Sequence, residues 1–434
     1  MLGTYATRSR IPYSPPTSRQ FVMYWANFLH IYQPPTQTEY IVRKVTSECY
    51  RTLVRVLEES PRAKITLNIN AVLTEQLDRY GLADVIAGLR KLAERGQIEF
   101  TASAVYHPIL PLIPKDEVVR QIQLNTELNR RYFGDVYEPK GFFPPEMCYS
   151  LDLAKLVHEL GFRWIIVDEI AFNGRIGSVQ DDVVYTIGEA GNLAVFFKER
   201  PFSAGITYGE YPESGPFVKA LGDRLEKDSY LLTGTDGEVY GHHRPGQERL
   251  LQQVWALGQP RTCFVSDLLN LYPKLEQCRP LASSWSTWED EMARGIPYPQ
   301  WDYPGHALHA LQWRLTRLAM ESVHGASRQT PGYDEARHLL DEGLHSCQYW
   351  WASCRPWWDV GMVESGARRL FDAIAVLRPG LPPERFKEAS STLDSIVGTA
   401  RQWQDSGTAK KRKEEYLREH GEVTSELTFG GGSQ

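Results

Sequence analysis

The stretch Pro139-Lys140-Gly141-Phe142-Phe143-Pro144-Pro145-Glu146-Met147 decides how this sequence is read. Residues 140–143 are predicted to end a buried strand. Pro144 and Pro145 then stop ladder pairing, because proline has no N–H to donate. Glu146 follows at once. A carboxylate just past a short apolar strand, on a proline-stiffened turn, is held at the rim of a sheet or barrel, where α/β barrels carry catalytic groups. A single loop glutamate is by default a solvated one, so its meaning depends on the rest of the chain.

Outward from that stretch, apolar strand-like runs alternate with helical periodicity. Toward the N-terminus the predicted strands are 21–29, ending in His30-Ile31-Tyr32-Gln33-Pro34-Pro35, then 64–70, then 97–103, followed by Ala104-Val105-Tyr106-His107-Pro108. Helices are predicted over 39–59, 81–95 and 115–133. Toward the C-terminus the strands are 164–168, 193–198 and 230–235, with 262–265 as one more short strand and helices over 151–160 and 248–257. The continuous apolar run at 164–168 suits a parallel strand covered on both faces. About seven or eight strand–helix units in roughly 250 residues predict a closed or nearly closed barrel. No G-x-G-x-x-G or P-loop follows any strand, so a nucleotide-binding sheet has no support.

The polar residues fall in one kind of place. His30, Asn68 with Asn70, His107, Glu146, Asp168 with Glu169, and Asp236 all lie at or just past a strand's C-terminal end. Parallel strands put those ends on one face, so residues remote in sequence converge on one pocket. After about residue 280 the pattern turns helical, with predicted helices over 306–323, 333–347, 363–377 and 384–403. These read as a bundle beside the barrel. The expected organisation is α/β: a disordered arm at 1–20, a barrel at 21–280, a helical region at 281–405, and a charged, flexible tail at 406–434.

Composition excludes several classes. The 434 residues are 42% hydrophobic and 24% charged, with net charge −6, and the pI is about 6.0. Nothing favours nucleic acid or an anionic membrane as partner. No run of about 18 apolar residues and no apolar leader is read, which leaves a cytoplasmic protein as the expectation. The six cysteines are scattered without a C-x-x-C pair, arguing against a zinc ribbon and for reduced thiols. Adjacent His242 and His243 do not make a metal site by themselves, so no metal and no cofactor is expected. The 12 Trp and 22 Tyr can stack on sugar faces or fill cores. The cluster Tyr349-Trp350-Trp351 with Trp357-Trp358 is open to either reading.

Glu146 and Asp236 form the strongest constellation. Glycoside cleavage needs two carboxyl groups across the scissile bond, one to attack or activate water and one to protonate the leaving oxygen. A barrel rim can hold such a pair about 5–5.5 Å apart, the spacing of retaining enzymes.

The stretches 140–147, 233–243, 30–35 and 104–114 together resemble glycoside hydrolase family 57, over roughly residues 21–400. The resemblance implies an incomplete (β/α)7 barrel followed by a helical region. It also implies a retaining enzyme acting on α-glucans or maltooligosaccharides: an amylase, a 4-α-glucanotransferase or a branching enzyme. The family's nucleophile matches Glu146 in Gly141-Phe-Phe-Pro-Pro-Glu146. Its general acid/base matches Asp236 in Thr235-Asp-Gly-Glu-Val-Tyr-Gly241. His30 and His107 match histidines that line the sugar site. Where the family's first motif is a contiguous His-Gln-Pro, Ile31 and Tyr32 here separate His30 from Gln33-Pro34. The last motif falls around 283–301, bringing in Trp285 and Trp301; with Gln33, Glu238 and His242 these complete the expected substrate-binding set. Two other classes stay open: a metal-dependent polysaccharide deacetylase on a related barrel, and a carbohydrate-binding protein with a dead site. Oligomeric state is not readable from the sequence.

Overall fold

Ten strands carry the fold of this computed structural model, which describes residues 21–421. They are β1 (Met23–Ile31), β2 (Ile65–Ile69), β3 (Ile98–Phe100), β4 (Gly141–Phe142), β5 (Trp164–Asp168), β6 (Val184–Ile187), β7 (Leu193–Lys198), β8 (Ser229–Asp236), β9 (Arg261–Cys263) and β10 (Leu275–Cys278). One sheet runs β3-β2-β1-β8, with β9 also on β1, and the other runs β10-β6-β7-β5-β4. All pairings are parallel except β6–β7. The sheets meet at two seams. Ala102 donates to the Gly141 carbonyl and accepts from Phe143 N–H, both at 2.9 Å, and Glu199 N–H donates to the Leu232 carbonyl at 2.9 Å. β1, β2, β3, β4, β5, β7 and β8 thus ring one interior, as an incomplete (β/α)7 barrel.

Side chains alternate across the wall with the two-residue period of a strand. Met23, Trp25, Leu29 and Ile31 of β1 pack outward with Leu53, Leu89 and Leu250 of the surrounding helices. Ala26 and Phe28 of β1, Trp164 and Ile166 of β5, Ala194 and Phe196 of β7, and Tyr230 and Leu232 of β8 fill the interior. Continuing that parity one or two steps brings His30, Asp168, Lys198 and Asp236 to the inward side at the C-terminal ends. β1 ends in register with its neighbours: His30 lies level with Asn68 on one side and Asp236 on the other. β4 is only two residues long because prolines bound it. Gly141 has to be glycine: a Cβ there would stand 2.0 Å from the Trp164 ring.

The structure departs from the sequence reading in several places. A helix at Ala71–Arg79 precedes the expected one, which occupies Ala83–Glu94. β6 and β10 were not anticipated, being short and flanked by turns. The helix expected over 333–347 stops at Gly343, where a Cβ would meet Leu370 Cδ2 at 2.8 Å. The chain turns, His345 bridges to Pro108, and a short helix resumes at Cys347–Trp350. The longer helices Ala307–Gly325, Val360–Val376 and Pro383–Asp405 pack around it. The charged segment expected as a flexible tail is, over Thr408–His420, a docked helix: Tyr416 is buried, its hydroxyl accepts from Trp288 Nε1 at 3.1 Å, and Arg412 lies over Trp403. The expected arm at 1–20 and the last residues of the tail lie outside the described residues.

Candidate active site

Glu146 sits in the turn that the prolines impose, with φ of 59°, and Met147 follows at 50°. His107 shares this left-handed conformation at φ 60°. Non-glycine residues held there are strained by about 1–3 kcal/mol, a cost found most often at functional positions. The turn aims the Glu146 carboxylate at two donors. Trp285 Nε1 donates to Oε2 at 2.8 Å, and Ser346 Oγ donates to Oε1 at 3.1 Å. His107 Nδ1 is 3.0 Å from the same Ser346 Oγ and 3.5 Å from Glu146 Oε1. Trp285 is fixed by a bridge between Tyr149 and Ser283 and by its own N–H on the Glu146 carbonyl at 3.3 Å.

Burial lifts the Glu146 carboxyl to about 7; the bonds from Trp285 and Ser346 pull it down, and the negative charge of Asp236 pushes it up. The two acids therefore feel each other. Asp236 closes β8 as its one solvent-exposed residue. Protein around its other sides lifts it to about 6, against the pull of Lys198; water at the exposed face tempers that rise. Lys198 is buried and its Nζ lies 2.9 Å from Asp168 Oδ2. Burial would raise Asp168, but Arg200, at 2.6 Å, and Lys198 outweigh it and hold it below the usual carboxylate range. Asp168 is thus an anchored anion that fixes the cation standing by Asp236.

Three rings wall the cleft beside Glu146. His107 stacks on Tyr32 at 4.3 Å and on His30 at 4.9 Å between centroids. His30 Nδ1 bonds Asn68 Oδ1 at 2.8 Å, and burial drops its pKa to about 4. Burial and the neighbouring histidines push His107 well below the ordinary imidazole value, so both are neutral at physiological pH. His107 Nε2 is buried with no hydrogen-bond partner among the described residues.

The expected substrate-binding residues divide. Glu146, Asp236, His30, His107 and Trp285 come together. Gln33 and Glu238 lie behind the wall in a buried cluster: Tyr50 OH donates to Glu238 Oε1 at 2.5 Å, and Gln33 Nε2 reaches Tyr50 OH at 3.2 Å. Burial raises Glu238 to about 8, so it is a neutral structural acid. His242 is drawn aside by Glu48, 2.6 Å from its Nδ1. Trp301 is fully buried in the core of the helical region, where its carbonyl accepts from Trp313 Nε1, so it offers no face to a sugar. These four expectations are corrected for one reason: a motif gives proximity in the chain, not the direction of a side chain. Three further residues complete the site: Lys198, signalled in the sequence only by a lone charge ending an apolar strand; Tyr32, signalled by the interruption between His30 and Gln33; and Ser346, which carries no sequence signal.

Among the described residues, no group of three or more His, Cys, Asp or Glu is arranged to hold a metal ion. No helix among them is long and apolar enough to cross a membrane, and all six cysteines are free.

Comparison with known proteins bears on this arrangement. An alpha-amylase of Pyrococcus horikoshii is 27% identical over 230 residues, covering 52% of this chain and 35% of that protein. A 4-alpha-glucanotransferase of Thermococcus litoralis is 28% identical over 144 residues, 33% of this chain and 21% of that one. The chain thus spans about a third or less of the length of these curated relatives. Among solved structures, a branching enzyme of P. horikoshii superposes with a TM-score of 0.63 at 15% identity, over 86% of this chain and 95% of that one; the likeness speaks to the fold. The family model for glycosyl hydrolase family 57 matches residues 11–270, more than half of the chain, and the protein belongs to that family.

Proposed function

We propose that this protein is a retaining glycosidase or glucanotransferase of α-1,4-linked glucans, with Glu146 as nucleophile and Asp236 as general acid/base. The observation that carries the reading is the Glu146 carboxylate itself, held in a left-handed turn at the barrel rim and oriented by Trp285 and Ser346 within the field of Asp236. In the first step Glu146 forms a bond to the anomeric carbon while Asp236 protonates the departing glycosidic oxygen. In the second, the Asp236 carboxylate takes the proton of water or of a sugar hydroxyl as that oxygen displaces Glu146. Neutral His107 and His30 have ring nitrogens suited to sugar hydroxyls. The α-glucan class rests on the names of the relatives, which include amylases, a glucanotransferase and a branching enzyme. We divide the chain functionally into a catalytic barrel at 21–280 and a helical region that completes the site, and place it in the cytoplasm, where its free thiols persist.

Incubation with maltooligosaccharides of defined length tests the reading. Shorter products alone mean hydrolysis, and longer with shorter products mean transfer. No change in any chain length, with or without added divalent metal, rejects an α-glucan enzyme.

A further inference from the structure

A cavity of about 510 Å³ opens away from the catalytic acids, between the barrel helix Lys115–Phe133 and the helix Tyr333–Gly343. It lies within the range of about 300–1,000 Å³ typical of small-ligand sites. We propose that this groove is a second, non-catalytic binding site for a short segment of α-glucan; the inference rests on the substrate class proposed above.

The chemistry of the lining selects a neutral polyol. The lining carries four arginines and three carboxylates, with the Glu117 carboxylate salt-bridged to Arg337 beneath, so the charges nearly cancel. The central pair is locked: Arg120 grips Asp341 through three hydrogen bonds of 2.6–3.0 Å. A phosphate would need unopposed positive charge converging on one point, and an apolar ligand would need a drier wall. Sugars instead want many fixed donors and acceptors at their edges and aromatic or apolar surface against their faces. Tyr333 supplies a ring at this groove, with Tyr106 buried beneath it against His338, and Arg328 stands at it with no salt bridge among the described residues, while Arg131 lies in the field of Glu75 on the opposite wall; both guanidinium edges can donate to hydroxyls.

The groove is also joined to the catalytic cleft by covalent continuity. Tyr106 directly precedes His107, and the chain that leaves the helix bearing Asp341 turns after Gly343 and reaches Ser346, which bonds Glu146. A polymer long enough to span from this groove to the acids would be tethered beside them, raising its effective concentration there without new catalytic contacts.

The test uses the full chain carrying Glu146→Gln to block turnover, titrated calorimetrically with maltoheptaose. Two sites are expected. Adding Tyr333→Ala with Arg328→Ala, or separately Arg131→Ala on the opposite wall, should leave one site or weaken the second by about tenfold or more. With Glu146 intact, the same changes should raise the KM for soluble starch about tenfold relative to the KM for maltotriose. A single site in the parent, or two unaltered sites in both groove variants, overturns the groove while leaving the glycosidase reading intact if maltooligosaccharides are still turned over. Absence of both turnover and glucan binding overturns the two readings together.

Discussion

The cleft has two walls of different origin. On the barrel side His30, Lys198 and Asp236 come from strand ends, and hydrogen-bond register aligns His30 with Asp236. On the other side Trp285 and Ser346 reach Glu146 from 139 and 200 positions further along the chain, through an irregular loop and a break between helices. The barrel wall brings the acids together; the later wall orients one of them and sets its proton affinity. The two acids and the donors that tune one of them thus come from separate parts of the fold, and mutations should separate them.

The largest effects belong to the acids. Glu146→Gln is expected to lower kcat/KM on the order of 10⁴-fold or more, with no covalent glycosyl-enzyme from any substrate. Asp236→Asn should also abolish turnover of maltooligosaccharides. It should still glycosylate Glu146 from an aryl α-glycoside with a good leaving group, because that step needs little protonation, and the adduct should accumulate. Mass spectrometry of both variants decides the matter: an adduct on Asp236, or equal loss of the first step in both, would reverse the assignment.

The second wall should give smaller effects with a signature in pH. The parent's kcat/KM should be bell-shaped, its limbs falling near the values of about 6 and about 7 lifted by burial at Asp236 and Glu146. The productive form has Glu146 ionised and Asp236 protonated, and because Glu146 lies higher, at about 7 against about 6, Asp236 sets the acid limb and Glu146 the alkaline one. Trp285→Phe deletes a donor that favours the ionised Glu146, so its pKa rises and the alkaline limb moves to higher pH. The expected loss is about 10–100-fold, for a charged hydrogen bond worth about 1.5–3 kcal/mol. Ser346→Ala should shift the limb the same way and cost only about 3–10-fold, since that hydroxyl is also engaged by His107. Limbs that stay put in both variants would mean that the helical wall is packing alone.

The smallest effect concerns the residues behind the cleft. Burial raises Glu238 to about 8, so the folded chain keeps a proton that the unfolded chain releases in the ordinary carboxylate range. Stability should fall as pH rises from that range through about 8. Glu238→Gln removes the titration while keeping a polar partner for Tyr50, so its Tm should decline less between pH 5 and pH 8.5 than the parent's. A parallel decline in both proteins would place Glu238 outside this role.

Legibility followed periodicity. The two-residue alternation and the proline stop after Phe143 are local properties, governed by backbone sterics and the lack of a donor, so the barrel and the placing of Glu146 and Asp236 at the C-terminal ends of its strands could be read directly from the residues and motifs. Gln33 and Glu238 sit in legible motifs yet point into a buried cluster, and Trp301, an aromatic near a motif, went to the core because nothing in the linear pattern distinguishes a sugar platform from packing. Ser346 shows the limit most clearly. Its segment carries helical spacing, and only the close packing of Gly343 on Leu370, together with the bridge from His345 to Pro108, breaks the helix and turns that hydroxyl toward Glu146. The sequence by itself determined which acids stand at the strand ends; the tertiary structure alone decided what orients them, because those contacts arise from packing between distant segments whose geometry no local preference encodes.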